Sequence, residues 1–262
     1  MTDREAADPG REAMAGPEPA SAAPVAHAVG VGPGDPALVT GRARELLEDA
    51  DVVVGFETVL DVVRDATDAV LLACGYDDQR EVLATFGDRV ADGEAGVAVL
   101  MGDPNVSGYQ FLGRVERTVA GHVRVVPGIS SIQVAASRAR TPLERATVVS
   151  LHRRGSLEAA LDRLVDAAGT SHLLCLPRPD DWMPEDVAAA LLDDGVAEDR
   201  TALVCEHLTT PEETVTRTTL AALADGAGGE GAASSRFSDL SVLVVSGPRP
   251  EPVSAPAPEG ST

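Results

Sequence analysis

Short apolar runs rich in β-branched residues alternate with amphipathic segments over the first half of the chain. The apolar runs lie at 27–31, 51–54, 69–72, 97–101 and 123–126. Segments with helical spacing of apolar residues lie between them, at 37–48 and 79–92. This alternation is typical of βαβ units, in which consecutive strands are parallel and helices cover both faces of the sheet. It predicts an α/β fold with a parallel sheet in this half.

The second half alternates less strictly. Helical spacing is found at 130–138, 157–167 and 184–192. Strand-like runs are found at 147–151, 172–176, 201–205, 213–217 and 240–245. Consecutive strands without a helix between them favour a mixed sheet. We therefore expect two α/β domains of ordinary size, at 25–128 and 129–247, which meet near the Pro127-Gly128 turn.

Three segments lack any periodicity. Residues 1–24 and 248–262 are rich in Ala, Pro, Gly and acidic residues, which predicts disordered tails. Residues 225–235 contain four glycines and are expected to form a mobile loop before the last strand.

The charge balance excludes some partners. The 21 cationic residues are all arginine and face 42 Asp and Glu, which gives a net charge of −21. Such a surface repels nucleic acid and anionic membranes, so neither is an expected partner. At molar salt the Debye length falls to about 3 Å and the self-repulsion is screened. The simplest interpretation is a halophilic protein, and a surface that steers a cationic partner is the alternative.

The cysteines and the apolar runs limit the compartment. Cys74, Cys175 and Cys205 lie inside apolar runs and are too widely spaced for a zinc motif, so we expect core residues and no metal site. No stretch approaches the ~18 apolar residues of a membrane span, and the N-terminus lacks a signal-peptide pattern. The sequence predicts a soluble protein of the cytoplasm.

Two glycine-containing segments follow predicted strands. The first, VGVGPGDP at 29–36, allows close backbone approach, but Pro33 removes an N–H and no Walker lysine exists. A nucleotide phosphate site is therefore disfavoured, and a simple turn with Asp35 as a helix cap is the alternative. The second, LMGDPNVSG at 100–108, sets Asp103 beside a pliable backbone, which suits the hydroxyls or ammonium of a small ligand. Its alternative is a cap formed by Asp103 and Ser107 for a helix starting near Gly108.

Two further segments suit anionic groups. PGISSIQ at 127–133 leads into a helix whose N-terminus favours a carboxylate. SLHRRG at 150–155 places one histidine and two arginines after a strand, where guanidinium groups match carboxylates. A solvated charge cluster is the alternative for the second segment.

The four segments, in this order, resemble the tetrapyrrole methylase family, over about 26–245. PGISSIQ followed by SLHRRG is similar to one branch, the cobalt-precorrin-7 (C5)-methyltransferases of cobalamin biosynthesis, related to the N-terminal half of precorrin-6Y C5,15-methyltransferase. The resemblance implies methyl transfer from S-adenosylmethionine to a tetrapyrrole, with the active site in the cleft between the two domains. It also implies a homodimer and a separate polypeptide for any C15-methylating decarboxylase.

The resemblance assigns roles to individual residues. It implies cofactor contacts at Pro33, Gly34, Met101, Gly102, Asp103, Val106, Ser130 and Ser131. Because the macrocycle is edged with acetate and propionate groups, Arg153 and Arg154 are candidate substrate ligands. His152 is a candidate for taking the proton lost from the alkylated ring.

Other functions remain open at this point. Uroporphyrinogen-III C-methylation and diphthine synthesis, whose substrate is elongation factor 2, belong to the same fold. A nicotinamide dehydrogenase is disfavoured because Pro33 spoils the phosphate turn and no acidic residue stands cleanly at the end of the second strand, near Glu57. A non-catalytic tetrapyrrole carrier would bind the macrocycle without S-adenosylmethionine.

Overall fold

A computed structural model describes residues 25–106, 108–153 and 155–248. The two predicted tails therefore lie outside the described residues, apart from residue 248, and so do Ser107 and Arg154. The described chain forms two five-stranded sheets, each covered by helices on both faces. The predicted α/β class is confirmed.

The first sheet is parallel throughout. Its strands are β1 Ala26–Gly30, β2 Val52–Phe56, β3 Val70–Cys74, β4 Gly96–Leu100 and β5 Val123–Val126. Their order across the sheet is β3-β2-β4-β1-β5. All five strands were predicted, with boundaries that differ by at most two residues. The order differs from that of a dinucleotide-binding sheet, in which the first strand pairs with the second.

Four helices cover this sheet in two pairs. Helices α1 Gly41–Glu48 and α2 Glu57–Val63 pack on one face. Helices α3 Gln79–Ala91 and α4 Tyr109–Thr118 pack on the other. Since successive side chains of a strand point to opposite faces, Val29 joins the first core and Ala28 the second.

The second sheet is mixed, as predicted. Its strands are β6 Ala146–Ser150, β7 His172–Leu176, β8 Thr201–Glu206, β9 Thr214–Thr219 and β10 Ser241–Val245. The order is β6-β7-β10-β8-β9, with only the β6–β7 pair parallel. Helices α6 Glu158–Ala168, α7 Pro184–Asp193 and α8 Leu220–Ala224 cover one face, and α5 Ser131–Ala139 covers the other. The chain thus passes from the first sheet to the second between Val126 and Ser131.

Some local predictions are corrected. The helix predicted at 37–48 is interrupted, because Asp35 caps a short 3-10 turn at Pro36–Leu38 and Thr40 then caps α1. The expected cap role of Asp35 is thereby confirmed. Helices α2 and α8 were not predicted, since seven and five residues are too few to show a helical period. Glu57 directly follows β2, so the expectation that no acidic residue closes that strand is wrong.

The glycine-rich segment 225–235 is anchored rather than loose. The buried Glu185 carboxylate accepts hydrogen bonds from the Ser235 hydroxyl at 3.0 Å and the Arg236 amide at 3.3 Å. The Ala232 amide donates to the carbonyl of Pro179 at 2.7 Å. The segment therefore packs on the connection between β7 and α7.

Cys74, Cys175 and Cys205 are buried and unpaired, as predicted. Burial raises the pKa of the Cys175 thiol to about 12. No group of three or more His, Cys, Asp or Glu side chains that could hold a metal ion occurs within the described residues. Nor does this part of the chain contain a helix both long and apolar enough to cross a membrane.

Candidate active site

The connections that follow β1 and β4 leave the first sheet toward opposite faces. β1 leads to α1 on one face, β4 leads to α4 on the other, and the two strands are neighbours. In open α/β sheets this arrangement opens a crevice at the carboxyl ends of the strands, where ligands bind. The crevice is bordered by residues 31–35 and 101–106, which belong to the first two glycine-containing segments of the sequence.

The loops after β1, β4 and β5 meet backbone to backbone. Gly32 and Gly102 exchange amide-to-carbonyl hydrogen bonds of 3.2 and 2.8 Å. A Cβ added to Gly30 would lie 2.6 Å from both the Gly102 oxygen and the Gly128 nitrogen, and one added to Gly128 would lie 2.3 Å from the Gly102 oxygen. Real Cβ atoms do not approach so closely, so positions 30 and 128 require glycine for lack of space. Gly102 has room for a Cβ, but its φ of +67° lies in the left-handed region that favours glycine. We call Gly30, Gly102 and Gly128 the glycine junction.

Asp103 ties the junction together. Its Oδ1 accepts hydrogen bonds from the amide and side-chain nitrogens of Asn105, at 2.7 and 2.8 Å. Its Oδ2 accepts one from the Gly128 amide at 3.0 Å. A carboxylate offers about four acceptor positions, so about one remains for a ligand. The alternative role of Asp103 as a helix cap is wrong, because α4 begins after Gly108 without a side-chain cap.

The start of α5 supplies the third loop. Ser130 is buried, its Oγ accepts from the Ile132 amide at 3.0 Å, and the Gln133 Oε1 accepts from the Ser130 amide at 2.8 Å. This capping box uses the Ser130 hydroxyl oxygen for the fold itself. The half-buried Ser131 hydroxyl makes no hydrogen bond within the part of the chain that the structure describes. Ser131 and the positive end of the helix dipole are therefore available to a ligand carboxylate.

The turn between β8 and β9 contacts the first loop from the second sheet. A Cβ added to Gly34, whose φ is +146°, would lie 2.9 Å from Thr210 Cγ2. The Asp35 amide donates to Thr209 Oγ1 at 3.1 Å. Thr209 itself has a φ of +73°, which is rare for a β-branched residue. This turn joins the two halves of the molecule at the crevice.

An ion pair fixes the same turn to α5. Arg138 donates to both Glu213 carboxylate oxygens, at 2.5 and 3.0 Å, and the Thr209 amide donates to Glu213 at 2.7 Å. The hydrogen bond from Arg138 is the main reason that the pKa of Glu213 is lowered. The sequence reasoning missed this pair. The only local signal was the Thr-Thr-Pro turn at 209–211 after a strand.

An open groove of about 530 Å³ lies beside this turn. Its lining joins the first loop, α5 and the β8–β9 turn through Asp35, Leu38, Ile129, Gln133, Val134, Ser137, Arg138, Thr209, Thr210 and Glu213. None of the eight predicted cofactor contacts lines it.

Those eight residues instead lie on the three loops that meet at the glycine junction. Met101 is 38% exposed although apolar, while Val106 packs against the core between α5 and the second sheet. Pro33 and Gly34 follow Gly32, and Ser130 Cα lies 3.7 Å from the position of a Gly102 Cβ. The structure thus brings together segments that the sequence separates by almost one hundred residues.

The predicted substrate residues lie elsewhere on the second sheet. His152 and Arg153 are exposed and follow β6, an edge strand separated from β8 by β7 and β10. At the usual strand spacing this is roughly 14 Å across the sheet. The Arg153 guanidinium donates to the Ser156 carbonyl at 3.2 Å, and Arg154 lies outside the described residues.

Arg178 holds that loop in place. It donates to the carbonyls of Arg153 and Gly155, at 3.1 and 3.2 Å, and pairs with Asp181 at 2.5 Å. The surrounding protein partly removes the His152 imidazole from water, and this desolvation lowers its pKa. The nearby charges of Asp239 and Asp180 raise the pKa, but to a smaller degree. The lowered pKa favours the neutral imidazole, which is the form that accepts a proton.

Comparisons with known proteins agree with this architecture. The family model described as Tetrapyrrole (Corrin/Porphyrin) Methylases matches residues 26–224. The cobalt-precorrin-4 C(11)-methyltransferase of Priestia megaterium is 27% identical over 76% of this chain and 80% of its own. The protein named probable cobalt-precorrin-7 C(5)-methyltransferase of Methanocaldococcus jannaschii is 27% identical over 84% of this chain and 97% of its own.

A solved structure gives the same picture. The precorrin-6Y methylase of cobalamin biosynthesis from Archaeoglobus fulgidus superposes with a TM-score of 0.60 at 25% identity, over 85% of this chain and 98% of that one. The match of the family model covers most of the chain and includes the loops of the glycine junction. The chain therefore belongs to the tetrapyrrole methylase family, enzymes that transfer a methyl group from S-adenosylmethionine.

Proposed function

We propose that this chain methylates C5 of cobalt-precorrin-7 in cobalamin biosynthesis. The observation that carries the proposal is the match to the Methanocaldococcus relative over nearly all of that relative's length. The structural similarity to the Archaeoglobus precorrin-6Y methylase supports the same assignment. The PGISSIQ and SLHRRG segments support it from the sequence.

The glycine junction suits the methyl donor. S-adenosylmethionine supplies an activated sulfonium methyl group, so the protein has to position it rather than to activate it. Asp103 keeps about one acceptor position for a hydroxyl or ammonium group, and Ser131 offers a free hydroxyl at a positive helix end. Met101 offers an exposed apolar surface beside them. We assign the donor to these residues together with Pro33, Gly34, Gly102, Val106 and Ser130.

Arg153 and Arg154 are proposed to bind substrate carboxylates, and His152 to accept the proton that the alkylated ring loses. The lowered pKa of His152 favours the neutral imidazole, which this role requires. Catalysis otherwise rests on orientation, which can lower a barrier by about 7–11 kcal/mol at best.

A second candidate is methylation of C11 of cobalt-precorrin-4. The Priestia enzyme of that name is as similar in identity as the C5 relative. Uroporphyrinogen III and elongation factor 2, the substrates weighed from the sequence, are the remaining alternatives. We further propose a cytoplasmic homodimer that works beside a separate C15-methylating decarboxylase.

Mass spectrometry of the reaction products tests the proposal. The purified chain is incubated with S-adenosylmethionine and equal amounts of cobalt-precorrin-7, cobalt-precorrin-4 and uroporphyrinogen III. We expect one added methyl group on cobalt-precorrin-7 alone. In the His152→Gln variant we expect a lower kcat without a change in donor affinity.

A methyl group on cobalt-precorrin-4 or uroporphyrinogen III instead would reject the C5 assignment and leave the family intact. An unchanged kcat for His152→Gln across pH 5 to 8 would remove His152 from the mechanism.

A further inference from the structure

Four aromatic side chains lie at one corner of the first sheet, and three of them are in ring contact through Phe56. The chain has only seven aromatic residues, namely one Trp, two Tyr and four Phe. Phe56 ends β2, Tyr76 follows β3, and Tyr109 and Phe111 lie in the first turn of α4. The Phe56 ring centroid is 5.1 Å from that of Tyr76 and 5.4 Å from that of Phe111. We call these four residues the aromatic corner.

The corner presents an open ring surface. Tyr76 is 83% exposed although its ring touches Phe56. Phe111, in contrast, is almost fully buried and belongs to the core beneath. A buried ring that carries further rings outward to solvent is suited to stacking against a flat ligand.

Hydrogen bonds connect the aromatic corner to residues 101–106, the loop after β4 that we assign to binding the methyl donor. The Tyr109 hydroxyl donates to Asn105 Oδ1 at 3.3 Å, and Asn105 Nδ2 donates to Asp103 Oδ1 at 2.8 Å. β2, whose end carries Phe56, lies next to β4, whose end carries Met101. A ligand on the corner would therefore border the methyl donor.

The charges nearby suit a carboxylate-edged ligand. Arg80 and Arg114 have no ion-pair partner among the described residues, in a chain of net charge −21. Arg114 acts electrostatically on Cys74, the residue paired with Phe56 across β2 and β3. The loop after β3, which contains Tyr76, has two acidic side chains. Asp77 is exposed, and Asp78 Oδ1 accepts a hydrogen bond from the Gly75 amide.

A buried amide lies under the same corner. Gln79 is 3% exposed, and neither polar atom of its side chain has a hydrogen bond of ordinary geometry within the described residues. Its neighbour is the Cys74 thiol, a weak partner, whose pKa is raised by burial and lowered to a smaller degree by Gln79. An unpaired buried amide is costly, which sets this corner apart from an ordinary core.

We propose that the aromatic corner, together with Arg114, is the surface on which the tetrapyrrole substrate lies during methyl transfer. This inference rests on the proposed function and extends it to the substrate site. The rings stack on the macrocycle, and the guanidinium group of Arg114 holds one of its peripheral carboxylates. Tyr76, the most exposed of the four, is a specificity-determining residue.

Substrate binding without methyl transfer tests the surface. The dissociation constant of cobalt-precorrin-7 is measured from its absorbance change, in the absence of donor, for the wild type, Tyr76→Ala, Tyr76→Phe and Arg114→Gln. Val70→Ala is the matched control, because Val70 is 47% exposed at the opposite end of β3. Calorimetry measures S-adenosylmethionine affinity, and sedimentation measures the oligomeric state.

We expect Tyr76→Ala to weaken tetrapyrrole binding about tenfold, as for loss of one stacked ring, and Arg114→Gln to weaken it severalfold. Tyr76→Phe and Val70→Ala should bind like the wild type, and donor affinity should not change. Tetrapyrrole binding unaffected by Tyr76→Ala would overturn the proposal. So would a dimer that dissociates in Tyr76→Ala, since the corner would then be a subunit interface.

The outcome separates the two proposals. If cobalt-precorrin-7 is methylated but its dissociation constant is the same for the wild type and Tyr76→Ala, the proposed surface is wrong and the proposed function stands. If the wild type methylates uroporphyrinogen III instead, and Tyr76→Ala weakens binding of uroporphyrinogen III, the C5 assignment is wrong and the surface stands.

Discussion

Gly128 shows how a single residue decides whether the three loops can meet. Its missing side chain lets the start of the second half of the chain approach Gly30 and Gly102 at backbone distance. The contact involves backbone atoms on both sides, which cannot rotate away as a side chain could. Any side chain at this position has to push the loops apart.

Gly128→Ala is therefore expected to destabilise the fold by roughly 3 kcal/mol, an overpacking cost at the upper end of the usual range. The matched control is Gly41→Ala at the start of α1, where an added Cβ has nothing within 4 Å. This control should be neutral or more stable by up to ~1 kcal/mol. Chemical denaturation checks both, and equal stability of the two variants would contradict the geometry.

The sequence predicts the position of Asp103 in a loop at a strand end, but it does not predict all of its hydrogen-bond partners. Its loop and its closeness to the other motif loops could be inferred from strand ends and motif order. Its bond to the Gly128 amide could not, because the two residues are brought together only by the pairing of β1 with β4 and β5. Asp103 is therefore a structural tie as well as a proposed ligand, and its loss would affect both.

At the scale of elements, the β8–β9 turn connects the second sheet to the crevice. It touches Gly34 and Asp35 on one side and is held by Arg138 of α5 on the other. The Glu213 carboxylate therefore holds the β8–β9 turn against α5, and through Thr209 it also supports the contact of this turn with the loop after β1.

Glu213→Gln is expected to lower stability by about 1 kcal/mol at pH 7, a modest figure because the pair is partly exposed. The lowered pKa of Glu213 means that its contribution is present above the ordinary glutamate pKa and is lost as pH falls through the folded-state value. Thermal melts from pH 3 to 7 measure this. Glu212→Gln is the control, since Glu212 has no arginine partner among the described residues, and an equal loss in both variants would contradict the assignment.

The sequence predicts every strand of the two sheets, but it does not predict the two shortest helices. The central strands of the first sheet are mostly apolar runs, since a sheet covered on both faces buries almost every residue of these strands. Helices α2 and α8 have only seven and five residues, so their apolar positions do not repeat often enough to show a helical period. The anchoring of 225–235 by the distant Glu185 also left no local signal.

At the scale of the whole molecule, the acidic surface dominates. With a net charge of −21 and no lysine, the folded chain repels itself at low ionic strength. Salt screens this repulsion without altering any of the buried contacts described above.

The melting temperature is therefore expected to rise between 0.1 M and 3 M KCl, with most of the gain at the lower salt concentrations where charge screening acts. Differential scanning calorimetry across this range checks it. A melting temperature that does not change with KCl would contradict salt adaptation.

The two-sheet architecture could be read from the sequence, but the strand order could not. Alternating runs predict βαβ units without fixing which strands become neighbours. The placement of β1 between β4 and β5 creates the glycine junction, so the site is a consequence of topology as much as of motifs.

The central claim is that S-adenosylmethionine binds at the glycine junction, and photocrosslinking of the labelled donor tests it most directly. Since the chain has no lysine, trypsin cleaves only after arginine and separates the three loops into peptides 12–42, 90–114 and 125–138. We predict label in these three peptides, suppressed by excess unlabelled donor. Label confined to 155–163 or 164–200, which contain α6, β7 and α7 of the second half, would contradict the account.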